Sequence, residues 1–485
     1  MENKKYHLIV IGGGSGGLVC AAGAAGLGAK VALIEKHKMG GDCLNTGCVP
    51  SKAIIRSAKI IHDAQTAERF GLKPHNFDIK LDSVLASVRE VQAKLEPNDS
   101  VERFTSLGVD VHLGEYRFIS PHQISNGSEI LEAKRFVIAT GAAPFVPPIP
   151  GLDKIPYLTS DNVWQLKELP KNLIVLGGGP IGSELAQTFA RLGSHVTVVE
   201  MADRLLIRED PEVSELVKKR FEAEGVTVLL KTKAVEVKKN TLIVSNFTLP
   251  HPPTLEGGDK GAGAISFDQI LVAVGRAPNV NGLDLEKAGV QYDKKGIKAD
   301  ATLRTTAKHI YACGDIVGPY QFTHTADFQA RLILRNALFP GKSKIDYRVV
   351  PWCTFTEPEV ARVGLNESEA KQNKVAHDVY QYALSDLDRA VCDREAEGFI
   401  KVLTEKGTDQ ILGVTLVGSH AGDLLHELAL AMHQKIGLKK VASMIHIYPT
   451  LAEVSKRIAD TYQRARLTDG TKKWLKRYFR WRFGL

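Results

Sequence analysis

One strand–turn–helix–strand unit occurs twice in this chain, 165 positions apart. In the first copy, Leu8-Ile9-Val10-Ile11 reads as a buried strand and runs into Gly12-x-Gly14-x-x-Gly17. An alanine-rich helix, Cys20 to Gly26, follows, and the next strand, Lys30 to Glu35, ends in an acid. In the second copy, Leu173 to Leu176 precedes Gly177-x-Gly179-x-x-Gly182, a helix from Ser183 to Leu192, and a strand from His195 to Glu200. In both copies the acid follows the first glycine by 23 positions. The first glycine permits a tight turn, the second lets a pyrophosphate approach the backbone, and the third lets helix and strand pack closely. The helix N-terminus then offers free N–H groups and the positive end of its dipole to phosphates. Glu35 and Glu200 are placed to accept hydrogen bonds from a ribose. A glycine turn can also be purely structural. Two copies in the same context, with the acid at the same offset, point instead to two dinucleotide sites. A carboxylate repels a 2′-phosphate, so Glu200 favours NAD(H) over NADP(H); Arg204 and Arg208, just beyond it, weaken that preference.

Between the copies lies Gly40-Gly41-Asp42-Cys43-Leu44-Asn45-Thr46-Gly47-Cys48-Val49-Pro50-Ser51-Lys52. Four residues separate its two cysteines, more than the two usual in zinc knuckles, and no second cysteine pair completes a metal site. No metal is expected. The pair is either a buried structural one or a redox-active disulfide. With only 6 cysteines in 485 residues, the chain is not a disulfide scaffold.

The length suits about three domains of ordinary size. An apolar content of 44% with 24% charged residues fits a globular protein with a full core. No apolar run approaches the roughly 18 residues a membrane span needs. The basic start, Met1 to Lys5, is followed by an apolar run too short for a signal-peptide core, so the expected location is cytoplasmic. The net charge is +8, with the basic excess concentrated at the C-terminal end.

The run from Gly40 to Lys52, set between two glycine loops, resembles the flavin-dependent pyridine nucleotide-disulfide oxidoreductases, the family of dihydrolipoyl dehydrogenase, glutathione reductase and mercuric reductase. The match covers nearly the whole chain. It implies an α/β fold with two Rossmann-like domains, for FAD and NAD(P), and an α+β dimerisation domain. The expected layout is 1–150 for the first part of the FAD domain, 151–280 for the NAD(P) domain, 281–345 for the second part of the FAD domain, 346–465 for dimerisation, and a tail at 466–485. The strand Arg135 to Gly141 ends in a Thr-Gly turn that the resemblance sets beside the flavin. Residues 53–114 look mostly helical, and Gly257 to Gly263 reads as a hairpin tip. Ile270 to Asn279, through Gly275, is the corresponding exit strand of the second unit. His309 to Asp315 is a strand ending at Gly314, and the resemblance gives Asp315 a contact with the ribityl chain; a helix N-cap is the plainer role. Cys313 is expected to be buried and inert. From Asp346 onward the resemblance is to a dimerisation domain, which implies a homodimer with each active site built from both subunits.

The implied electron path runs from NADH through FAD to the Cys43–Cys48 disulfide and on to a small-molecule disulfide, dithiol or metal acceptor. The family makes Cys48 the sulfur nearer the flavin and Cys43 the interchange thiol. Exchange needs a thiolate, favoured by nearby positive charge or a helix N-terminus. Lys52 is in reach to supply that charge, and the resemblance pairs it with Glu184; a structural ion pair is the plainer reading. The family also supplies a histidine before Pro-Thr, oriented by a glutamate five residues on. Here the run is His446-Ile447-Tyr448-Pro449-Thr450-Leu451-Ala452-Glu453. Tyr448 stands at the histidine position and Glu453 is kept. A phenol titrates near 10 and is a poor base at neutrality. Weak ordinary dithiol oxidation is therefore expected unless His446 reaches the site; otherwise His446 is a surface or core residue. Mercuric reductases also place an aromatic hydroxyl there, yet they need a C-terminal cysteine pair, and no cysteine follows Cys392. The competing functions are an NADH:quinone or dye reductase in which the disulfide is secondary, and a flavoprotein regulatory or binding subunit.

Beyond Arg466, Lys472, Lys473, Lys476, Arg477, Arg480 and Arg482 alternate with Trp474, Leu475, Tyr478, Phe479, Trp481 and Phe483. At 100° per residue most aromatics form one face and most cations the other. Such a helix either touches an anionic membrane surface or docks on its own dimer. Nucleic-acid binding is not expected, because the basic charge is one short strip.

Overall fold

The computed structural model describes residues 3–246 and 262–484. The first copy of the repeated unit forms as β1 (Asn3–Ile11), α1 (Ser15–Gly26) and β2 (Val31–Glu35). Leu8, Ile9 and Val10 are completely buried, as is Leu33 in β2, because both faces of a parallel sheet are covered. The helix begins at Ser15, earlier than the alanine-rich pattern suggests. The residues that obscured its first turn, Gly16 and Gly17, belong to the helix because close packing excludes a side chain there. A Cβ on Gly17 would lie 1.8 Å from the Gly12 carbonyl oxygen.

The cysteine segment folds as two short-spaced helices, α2 (Gly41–Asn45) and α3 (Cys48–Gln65). The second nucleotide unit is β3 (Asn172–Leu176), α4 (Pro180–Arg191) and β4 (His195–Val199).

Two sheets carry these units. In the first, β2 and β1 lie side by side in parallel, flanked by Val109–Leu113 on one edge and Ile130–Ile138 on the other. An antiparallel hairpin, Arg117–Ser120 with Gln123–Ser125, extends that edge, and Ile310–Ala312 pairs in parallel with Ile130–Ile138. The second sheet is parallel throughout, in the order Thr227–Leu229, β4, β3, Gln269–Val272. A three-stranded antiparallel sheet, Thr232–Lys238, Thr241–Asn246 and Ala262–Ser266, stands beside it in the chain.

Three expectations change in detail. The strand before Asp315 stops at Ala312, because Gly314 takes φ +79° and starts a short 3₁₀ turn, Gly314–Ile316. The exit strand of the second unit breaks at Gly275, φ +135°, into Gln269–Val272 and Arg276–Pro278. Helix covers much of 53–114 but gives way to coil between Phe70 and Leu81. The glycine-rich tip expected over 257–263 lies, as far as residue 261, outside the described residues.

The chain divides into two compact units, residues 1–203 with 224–346, and 204–223 with 347–485. The second unit centres on a five-stranded antiparallel sheet in the order Pro351–Thr354, Glu359–Gly364, Ile411–Gly418, Phe399–Glu405, His377–Ala383. Helix Ala421–His433 and α5 (Glu453–Ala465) bury Leu425, Leu428, Ile458 and Tyr462 in its core. A last helix, α6 (Asp469–Phe483), ends the chain.

Polar side chains tie segment 204–223 into this second unit. The Arg362 side chain is 1% exposed and meets Glu209 at 3.1 Å and Glu369 at 2.7 Å. Its guanidinium lies 4.3 Å from the Trp352 ring centroid, and the Trp352 indole N–H donates to Glu209 at 3.0 Å. Burial pushes the Glu209 carboxyl up, and Arg362 opposes that push. Next to it, the Lys401 ammonium is surrounded by Asp210 at 2.5 Å, Glu212, and Glu367 at 3.5 Å. Removing one member of a buried pair leaves the other charge uncompensated, at a cost of about 3–5 kcal/mol. Arg362→Met should therefore lower stability by about that amount, measured as a fall in the urea midpoint at fixed protein concentration. A change below about 1 kcal/mol would mean that Glu209 is held by something other than this guanidinium.

Candidate active site

The two glycine loops have the same geometry. Gly12 and Gly177 take φ +111° and +103°, and a Cβ on either would strike a carbonyl oxygen, that of Ala139 at 2.3 Å or of Ala273 at 2.5 Å. Gly17 and Gly182 each press on the first glycine of their own loop. The middle glycines differ: a Cβ on Gly14 would meet only the Gly41 Cα, at 3.7 Å, and one on Gly179 would meet nothing within 4 Å. Gly14 and Gly179 are the N-caps of α1 and α4, and neither helix start has a side-chain cap. Open space ahead of an uncapped helix N-terminus suits a pyrophosphate, so both loops fit a dinucleotide.

The terminal acids are also matched. Glu35 accepts from the Gly13 N–H and the His37 N–H, each at 2.7 Å. Glu200 accepts from the Gly178 N–H at 2.6 Å and the Ala202 N–H at 2.7 Å. Each carboxylate is thus locked across its own turn by two backbone donors, leaving lone pairs for a ribose hydroxyl.

The cysteine segment leans on the first loop. The Gly40 N–H donates to the Gly13 carbonyl at 2.9 Å. Gly41 has φ +57°, and a Cβ there would fall 2.6 Å from the Gly14 Cα. Asn45 pins the segment by donating to the Met39 carbonyl at 3.0 Å and the Gly41 carbonyl at 2.9 Å. Gln92 donates to the Leu44 and Asn45 carbonyls, each at 2.9 Å. Cys43 therefore sits on α2, and Cys48 is the first residue of α3.

Both cysteines are thiols here, and they are not equivalent. A hydrogen bond from Cys43 pulls the Cys48 thiol down to about 6; burial opposes this, while Thr323 and Lys52 add to it. The Cys48 sulfur is 3.5 Å from the Thr323 hydroxyl. Its place at a helix N-terminus favours the anion further. The same hydrogen bond, with burial behind it, pushes Cys43 well up. Cys48 is therefore the more readily ionised of the two, and Cys43 the more firmly protonated.

Lys52, one turn along α3, donates to Glu184 on α4 at 2.8 Å. This pair joins the helix of the cysteine motif to the helix of the second glycine loop. Asp315 lies inside the 3₁₀ turn; the N-cap position belongs to Cys313, with no side-chain cap. Burial pushes the Asp315 carboxyl up, and Arg276, 3.7 Å away, opposes it. Gly141 takes φ +66°. It follows Thr140, whose hydroxyl donates to the Asn279 carbonyl at 3.0 Å, and Asn279 donates back to the Thr140 carbonyl at 2.9 Å. Gly275 accepts the Phe145 N–H at 2.9 Å. The two exit turns are thereby laced together through the antiparallel pair Ala142–Pro144 and Arg276–Pro278. Cys313 is buried, and its thiol donates to the Ala326 carbonyl at 3.4 Å.

Two participants are not evident from the residue pattern. Arg276 bridges Asp42, beside Cys43, to Asp315 and also donates to the Ala142 carbonyl. Its signal was its place directly after the exit-strand glycine. Thr323, 275 positions from Cys48, has no such signal.

The second unit carries the remaining candidates. Tyr448 is 63% exposed, and its hydroxyl donates to Asp388 at 2.9 Å. That bond raises the phenol above its ordinary value. Glu453 opens α5 and is 5% exposed. One of its oxygens accepts from Arg457 at 3.2 Å, and the other is buried without a hydrogen-bond partner among the described residues. His446 is engaged at both nitrogens, with Glu427 at 3.0 Å and the Met444 carbonyl at 3.2 Å. Ile445 and Ile447 beside it are almost fully exposed.

Residues 6–330 match the profile of the pyridine nucleotide-disulphide oxidoreductases, and residues 350–459 match the dimerisation domain of the same family. The chain is similar to a dihydrolipoyl dehydrogenase of Chlamydia trachomatis serovar D, 35% identical over 462 residues, covering 93% of this chain and 96% of that one. It is also similar to a mercuric reductase of Lysinibacillus sphaericus, 35% identical over 465 residues, covering 96% of this chain and 84% of the relative. Among solved structures, the HOCl-induced flavoprotein disulfide reductase RclA from Escherichia coli superposes with a TM-score of 0.81 at 27% identity, covering 94% of this chain and 99% of that one. LpdA from Mycobacterium tuberculosis superposes with a TM-score of 0.82 at 28% identity and the same coverage. The paired dinucleotide loops, the cysteine pair and these matches make the chain a member of the pyridine nucleotide-disulphide oxidoreductase family, an α/β enzyme that uses FAD and NAD(P)H and carries the domain through which the family forms homodimers.

Proposed function

We propose that this protein is an NADH-linked reductase whose Cys43–Cys48 pair hands electrons to a small disulfide, a dithiol couple or a thiophilic metal ion. The observation that carries this is the placement of the two cysteines, Cys43 on α2 and Cys48 opening α3 with the Thr323 hydroxyl 3.5 Å from its sulfur and Lys52 one turn on. Bound FAD would supply the two-electron relay between a nicotinamide and the Cys43–Cys48 disulfide. The first loop, Gly12, Gly14 and Gly17 with Glu35, would hold the flavin nucleotide, with Gly141 and Asp315 as its further contacts. The second, Gly177, Gly179 and Gly182 with Glu200, would hold the nicotinamide nucleotide, with Gly275 at the exit turn of that unit. Lys52, fixed by Glu184, keeps positive charge beside Cys48 so that its sulfur stays anionic. Cys43 passes its proton to the leaving sulfur of an incoming disulfide as its thiolate attacks, forming a mixed disulfide. The Cys48 thiolate then attacks Cys43, closing the pair and expelling the second substrate thiol, which takes its proton from the Tyr448 position or water. The protein works as a dimer, in the layout of domains set out from the sequence, and in the cytoplasm. Contact with a membrane is a separate proposal, assigned to α6.

Tyr448 takes the proton-donor position. Held by Asp388, it is a poor acid and a poorer base, so dihydrolipoamide oxidation is slow in this protein. The unpartnered oxygen of Glu453 is where an imidazole at position 448 would find its orienting acceptor. His446 is already committed to Glu427. The second reading, a reductase of quinones or dyes that bypasses the cysteines, draws support from the same tyrosine.

Three measurements test this. Cys43→Ser should abolish lipoamide and disulfide turnover while NADH-dependent dye reduction survives; equal loss of both, or of neither, sinks the assignment. Under anaerobic NADH reduction, the long-wavelength absorbance of a thiolate packed on flavin should be full above the Cys48 value. It should fade as the pH drops through about 6, because the group is anionic above that point and neutral below it. A band that ignores pH between about 5 and 8 contradicts a thiolate at Cys48. Tyr448→His should raise dihydrolipoamide oxidation on the order of 10²-fold, the low end of what a placed acid–base contributes. The gain should disappear in the Tyr448→His/Glu453→Ala double variant.

A further inference from the structure

The family match ends at residue 459, and the chain continues into α6. Thr468 caps this helix by accepting the Thr471 N–H at 3.2 Å. None of its side chains is buried. It carries six lysines and arginines against a single acid, Asp469. Lys473, Lys476, Arg477 and Arg480 share one face, at 100° per residue. The opposite face carries Trp474, Leu475, Tyr478 and Phe479, with Arg482 the one cation among them, while Trp481 and Phe483 lie at its borders with the cationic strip. Trp474 stacks on Tyr478 with centroids 5.8 Å apart, Tyr478 meets Trp481 at 6.1 Å, and Phe479 meets Phe483 at 6.2 Å. Trp481 is 80% exposed.

A water-facing aromatic ladder backed by a cationic strip has one well-matched partner. Tryptophan and tyrosine rings favour the headgroup level of a bilayer, where an apolar body and a polar edge are both satisfied. Lysine and arginine lay their stems along the apolar boundary and carry their charge to the headgroups. Anionic lipid complements the charge, and the single acid does not oppose it. A protein groove would need a comparable acidic rim beside an apolar floor. No helix of the described residues is long and apolar enough to cross a membrane, so the helix lies in the interface plane.

We propose that α6 seats the protein peripherally on an anionic phospholipid bilayer, aromatic face inward. A homodimer presents two such helices, and their effects combine by avidity. The proposal does not depend on which acceptor the cysteines reduce.

The test is co-sedimentation of the FAD-loaded protein with vesicles of phosphatidylcholine alone or mixed equally with phosphatidylglycerol. The full-length protein should pellet with the anionic vesicles, with its tryptophan emission shifted to the blue, and should be released by salt. A chain ending at Leu467 should stay in the supernatant, and Lys476→Glu/Arg480→Glu should lose at least about tenfold in partitioning. All three should reduce dye with NADH equally, which separates this result from any failure of the catalytic assignment. Equal partition of full-length and shortened chains overturns the proposal. So does a full-length protein that ignores the vesicles while its shortened form falls to monomer on gel filtration, since the helix would then be part of the dimer.

Discussion

The cysteine segment can rest against the first glycine turn only because neither backbone carries a side chain at the contact. Gly41 faces Gly14 so closely that a Cβ would land 2.6 Å from the opposing Cα, and Gly40 hydrogen-bonds to Gly13. This contact fixes where α2 and α3 begin, and therefore where both sulfurs lie relative to the dinucleotide loop. The first glycine turn and the helix that opens with Cys48 become one rigid corner. Overpacking at such a point costs about 1–3 kcal/mol or more, and here the strain would fall directly on the reacting groups.

From that corner the electrostatics follow. A sulfur at a helix N-terminus, with a thiol and a hydroxyl donating to it and an ammonium nearby, is easier to ionise than an isolated cysteine. Its neighbour, which supplies the donor proton, is correspondingly harder to ionise. Lys52 cannot wander from the site because Glu184 holds it from the second nucleotide unit. Arg276 plays a similar part between Asp42 and Asp315. The same residues that order the charge thus join secondary structure from both halves of the repeated unit.

The second unit shows the opposite balance. Its apolar sheet and helices are ordinary, but Arg362 and Lys401, each with a side chain 1% exposed, are held by a shell of carboxylates. Such groups are tolerable inside only when paired. They make segment 204–223 part of this unit although it is far from residues 347–485 in the chain. At the candidate proton-donor position, a tyrosine tied to Asp388 stands near a glutamate with an oxygen left over.

Much of this was legible from the residues in order. Glycine spacing dictates turns, apolar runs dictate buried strands, and the repeated loop, the cysteine pair and the odd tyrosine are all local patterns. Element ends were less legible, as at Gly275 and Gly314, because a positive φ interrupts a run whose composition still reads as strand. What local pattern could not reveal is which distant side chains meet. Thr323 reaches Cys48 across 275 positions, Arg276 reaches Asp42 across 234, and His446 is claimed by Glu427. The sequence by itself determined the backbone motifs, since each rests on the conformational limits of a few neighbouring residues. Only the tertiary structure decided the thiolate's donors and the commitment of each charge, because those depend on how strands far apart in the chain are ordered in a sheet.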